Sequence, residues 1–113
     1  MRIDINGKTI VSVDFSDYET AWRAEDAFLV LEYLRERNEI VLGGDILNVN
    51  FKYAYANWYY ENEPGNSLES IEVATEYLRR FKKMNGNSFY VVFVVRGSLF
   101  KRSPLRNKFR SFY

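Results

Sequence analysis

The stretch Ser88-Phe89-Tyr90-Val91-Val92-Phe93-Val94-Val95-Arg96 decides the fold. It is apolar without interruption from Phe89 to Val95 and rich in β-branched and aromatic residues. Such a run predicts a central strand covered on both faces. It is far shorter than the roughly 20 residues a membrane helix needs. Gly97-Ser98 closes it.

Upstream of this strand, Leu68, Ile71, Ala74, Leu78 and Phe81 recur at helical spacing and predict a helix over 67–84. Asn66, with Glu69 three residues later, resembles a capping box, and Asn85-Gly86 supplies the stop. The segment 57–66 reads as a polar-aromatic loop, with Pro64-Gly65 as its turn. Before it, residues 46–58 alternate as a strand. Val49, Phe51, Tyr53 and Tyr55 lie on one face; Asn48, Asn50, Lys52 and Ala54 lie on the other.

A brief strand, 40–42, leads into Gly43-Gly44-Asp45, which reads as a tight turn. A phosphate cradle would need a helix after the glycines, and here a strand follows. Ala24, Ala27, Phe28, Leu31 and Leu34 predict a helix over 19–37, with caps available in 14–19 and a stop at Asn38. Residues 2–13 form a hairpin about Asn6-Gly7. Beyond the central strand, Ser103-Pro104 could open a short terminal helix, with Leu105, Phe109 and Phe112 on one side.

The order is ββ-α-ββ-α-β with a terminal α. This is an α+β fold, a mixed or antiparallel sheet of about five strands with two main helices packed on it. At 113 residues the chain is one domain, a core over 1–98 with a basic aromatic segment over 99–113. The polar start Met1–Thr9 does not read as a secretory signal, which points to a cytoplasmic protein.

Two absences narrow the function. Without cysteine there is no disulfide scaffold, thiolate nucleophile or Cys-based zinc site. Without histidine there is no Ser-His-Asp triad and no His base. Catalysis would fall to carboxylates and tyrosines, and no pair of these has suitable spacing. No metal constellation and no cofactor is indicated. The balance favours a protein that binds, and a small carboxylate enzyme ranks last.

The net charge of +1 hides a polarity along the chain. Residues 1–76 carry all fifteen acids and six bases, whereas 77–113 carry ten bases and no acid. The halves either neutralise one another in the fold or form two opposed patches. Between Tyr53 and Leu78 there is no Lys or Arg but there are Glu61, Glu63, Glu69, Glu72 and Glu76. Within this acidic stretch Trp58-Tyr59-Tyr60 form an aromatic cluster. Either Trp58 or Tyr60 is buried and Tyr59 exposed, or the reverse. At the other end, Arg96, Lys101, Arg102, Arg106, Lys108 and Arg110 among Phe100, Phe109, Phe112 and Tyr113 could hold single-stranded nucleic acid. No nucleic-acid motif accompanies them, so that reading is the alternative.

The ordered pair Val41-Leu42-Gly43-Gly44-Asp45 and, about a dozen residues later, Asn57-Trp58-Tyr59-Tyr60-Glu61 carries a likeness. With the helix before and the helix after, residues 20–95 resemble a family of bacterial polymorphic-toxin immunity proteins, immunity protein family forty. The N-terminal hairpin and the basic tail lie outside the likeness. The resemblance implies a cytoplasmic, non-enzymatic protein that neutralises a cognate protein toxin by binding it. The toxin would be delivered by a neighbouring bacterium, as in contact-dependent growth inhibition, and many such toxins are nucleases. No membrane partner is implied, and the aromatic excess would permit a homodimer. An acidic and aromatic surface suits a basic cleft. The expected contact set is Asp45, Trp58, Tyr59, Tyr60, Glu61, Glu63, Glu69 and Glu72, with the rings as anchors and the carboxylates pairing toxin Lys or Arg.

Overall fold

The computed structural model describes residues 1–14, 20–62 and 64–96. The N-terminal hairpin forms as its turn chemistry demands. Strands β1 (Arg2–Ile5) and β2 (Lys8–Val11) pair antiparallel. Asn6 and Gly7 both hold positive φ, at 52° and 75°, as a two-residue primed turn requires. The hairpin is a small sheet of its own. It buries Ile3, Ile5 and Ile10 in the main core.

The larger sheet has the order β3-β4-β7-β5-β6. Its strands are β3 (Val13–Asp14), β4 (Thr20–Arg23), β5 (Val41–Leu47), β6 (Tyr53–Tyr59) and β7 (Tyr90–Val95). Every adjacent pair runs antiparallel. The apolar run of 89–95 is the central strand β7, buried from Val91 to Val95. Helices α1 (Ala24–Glu36) and α2 (Ser67–Asn85) join the core that includes Ile46, Trp58, Val91, Phe93 and Val95. The fold is α+β, as expected.

Helix α2 begins and ends where its chemistry places it. The Asn66 side chain accepts from the Glu69 N–H at 2.7 Å, and Gly86 closes the helix at φ 76°. Ser70, fully buried, ties this helix to the sheet. Its Oγ accepts the Val41 N–H at 2.9 Å and donates to the Ser67 carbonyl at 2.8 Å. The first turn of α2 rotates away from expectation: Leu68 is 59% exposed, and Ser67 and Ser70 are buried in its place.

Two boundaries differ from the sequence reading. Residues 20–23 are strand β4, and α1 starts only at Ala24. Arg23 stands before the helix in extended backbone with no side-chain cap, and only the acidic pair Glu25 and Asp26 in the first turn marks the start locally. Gly43-Gly44-Asp45 is not a turn but the middle of β5. The turn falls later, at 48–52, where the Asn48 side chain accepts from the N–H groups of Asn50 and Lys52. The long strand expected over 46–58 is therefore split between β5 and β6. The expected caps in 14–19 fall mostly, and the terminal helix from Ser103 wholly, outside the described residues.

The glycines serve packing. Gly44 pairs with Trp58 on one side and Phe93 on the other. A Cβ on Gly44 would lie 2.6 Å from Cζ3 of the Trp58 ring and 2.7 Å from the Val92 carbonyl oxygen. A Cβ on Gly43 would strike the Trp58 carbonyl. The register between β5 and β7 slips between Val41 and Gly43, which is where this backbone approach occurs.

Candidate partner-binding face

Trp58 leaves β6 on the helix side of the sheet and stacks under α2. Its ring lies 5.1 Å from Tyr77, tilted by 32°, and meets Phe93 edge-on at 5.9 Å. The aromatic contacts continue through Phe81 to Phe89. Five aromatic side chains, Trp58, Tyr77, Phe81, Phe89 and Phe93, thus form one contact chain between helix and sheet. Trp58 is 5% exposed, and its Nε1 has no hydrogen-bond partner among the described residues.

Tyr60 follows the strand and turns under the start of α2. Its hydroxyl donates to Glu69 at 2.7 Å and accepts the Asn66 N–H at 3.0 Å. Asn62 also donates to Glu69 through a short contact. In a capping box the third helical residue reaches the cap N–H directly. Here the Tyr60 hydroxyl relays that contact. Gly65 lies against the Tyr60 ring, where a Cβ would come within 3.1 Å of it. The two donated bonds hold the Glu69 carboxyl below its ordinary pKa. Burial and then the adjacent Glu69 carboxylate raise the Tyr60 phenol above its own.

Above Trp58 the surface of α2 is acidic. Glu69, Glu72, Val73, Glu76 and Arg80 fall at i, i+3, i+4, i+7 and i+11, one stripe of the helix. With Trp58 and Tyr77 they line an open groove of about 390 Å³. Burial, and then the charge of Asp45, raise the Tyr77 phenol above its ordinary pKa. Glu76 pairs with Arg80 at 2.9 Å and with Arg79 at 3.7 Å. Glu61 and Glu72 are exposed and form no ion pair among the described residues.

The expected contact set does not form one patch. Trp58, Glu69 and Glu72 share the groove, with Tyr60 bonded beneath its edge. Asp45 is 4% exposed and alternates with Gly44, which places it on the opposite side of the sheet. Tyr59, half-buried, likewise alternates with Trp58. Glu61 is exposed beside the loop, and Glu63 lies outside the described residues. Asp45 and Tyr60 are therefore too deeply placed to anchor a partner directly. Trp58, 5% exposed, reaches the surface only as part of the groove lining. Strand alternation is the reason: consecutive residues Trp58 and Tyr59 cannot face the same way.

Val73, Glu76, Tyr77 and Arg80 join the site unforeseen. The signal was present as the helical stripe running on from Glu69, next to the apolar stripe that located the helix. Among the described residues no helix is long and apolar enough to cross a membrane, and no group of acidic side chains is placed to hold a metal ion.

The family model described as Immunity protein 40 matches residues 9–95, from the second strand of the hairpin to the end of β7. No curated protein and no solved structure matches the chain.

Proposed function

The chain belongs to the immunity protein 40 family, and from that premise we propose that it neutralises a cognate protein toxin by binding it. The contact face is the acidic surface of α2 and the loop before it. Glu61, Glu69 and Glu72 meet lysines and arginines of the toxin, while Trp58 and Tyr60 hold that face in place from below. The toxin is a nuclease whose substrate cleft is basic, and the chain acts in the cytoplasm of the protected cell. The system is of the contact-dependent growth inhibition type. Acidic rim charges raise the rate of encounter with a basic partner, and a stable complex buries about 1,200–2,000 Å² in total.

The family match carries this reading, and Glu61 and Glu72, exposed and without an ion pair among the described residues, support the choice of face. The test is co-expression with the product of the neighbouring toxin gene. The two should co-purify, and the wild-type chain should restore growth. Glu61→Lys with Glu72→Lys should slow association about tenfold at low salt, with a smaller effect at high salt. Unchanged association in a folded double variant would move the interface elsewhere.

A further inference from the structure

The groove over Trp58 already holds a cation of its own. Arg80 lines it and pairs with Glu76 at 2.9 Å, although both side chains are largely exposed. An exposed pair of this kind contributes little to stability. It therefore exchanges readily for a better partner.

The other carboxylates of the groove differ. Glu69 is engaged by Tyr60 and Asn62. Glu72 has no ion pair among the described residues. Beside Glu72 and Glu76 the groove is lined by the aromatic side chains of Tyr77 and Trp58. Two carboxylates beside aromatic rings match a planar guanidinium, which pairs with the acids and stacks on the rings.

We infer that the groove receives an arginine side chain of the partner protein, and that Arg80 is a placeholder which this arginine displaces from Glu76. The inference rests on the toxin-binding reading and names the group recognised at that face. The incoming guanidinium pairs with Glu72 and Glu76 and lies over Tyr77. Arg80 swings out to solvent, where its long side chain is hydrated at little cost.

Arg79 supplies the control. It also pairs with Glu76, at 3.7 Å, but it lines the cleft between the two helices and not this groove. Arg79→Gln and Arg80→Gln change the net charge equally. Binding is measured against the co-purified toxin domain at matched salt. Arg80→Gln should tighten binding about three- to tenfold through slower dissociation, and Arg79→Gln less than about twofold. Glu72→Gln should weaken it about tenfold. Equal effects of the two arginine substitutions would mean long-range charge alone and would overturn the placeholder. So would weaker binding by Arg80→Gln, or full affinity in Glu72→Gln. In each of these cases toxin binding by the wild-type chain stands. Failure of the wild-type chain to bind the toxin would remove the parent reading, and the inference with it.

Discussion

The Trp58 indole lies directly over Gly44, in the space where any other residue would carry its Cβ. The absence of one side chain in β5 thus sets the depth of the ring that floors the acidic groove. Gly44→Ala should destabilise the protein by about 1–3 kcal/mol, the usual cost of overpacking a filled core. Denaturant unfolding measures it. In a Trp58→Leu background the same substitution should cost less, because the ring it strikes is gone, although the Val92 carbonyl still opposes it.

Ser70 is a second single-atom tie. Ser70→Ala leaves the buried Val41 N–H without its acceptor, and an orphaned donor costs about 1–3 kcal/mol. The urea midpoint should fall with the slope unchanged, since the unfolding surface stays the same.

The relay at the start of α2 has a pH signature. The Glu69 pKa is lowered from 4.5, so its bonds add stability above that value, and the contribution is lost as pH falls through the depressed one. The Tyr60 pKa is raised from 10.0, so the neutral phenol adds stability below that value, and the contribution is lost as pH rises through the raised one. In Tyr60→Phe the Glu69 carboxyl should titrate closer to 4.5, since its main donor is removed. Carboxyl-detected NMR titration reads the shift directly.

Tyr55 is 99% exposed and holds φ at 55°, a region that bulky residues rarely occupy. It lies where the pairing of β5 with β6 slips between Asp45 and Leu47. Its side chain contributes almost no burial to offset the backbone cost. Tyr55→Gly should therefore raise stability by up to about 1 kcal/mol, measured as a higher thermal midpoint.

Elements with a local cause were legible in the sequence. The hairpin follows from Asn6-Gly7, α2 from Asn66 at one end and Gly86 at the other, and β7 from its unbroken apolar run. The acidic character of 53–78 was equally plain. Two features were not. Gly43-Gly44-Asp45 has the local chemistry of a turn, and only the distant Trp58 explains why glycines lie inside a strand. The passage from β4 into α1 has no cap at Arg23, so the helical spacing simply ran backwards into the strand. At the site, the residue types were readable, but which of Trp58, Tyr59 and Tyr60 faces α2 depends on register, and register is set by pairing with β5.

Among the described residues, the last strand along the chain is the one in the middle of the sheet. Tyr90–Val95 lies between β4 and β5, so the sheet cannot close while the ribosome is still adding those six residues. Until then Trp58 lacks Phe93 to rest against, and the hairpin of β5 and β6 has no neighbour on its inner edge. Assembly by such distant pairings is slow and all-or-none in small domains. A nascent or shortened chain that stops before Tyr90 lacks the strand that joins β4 to the β5–β6 hairpin, so the two halves of the sheet have no common neighbour.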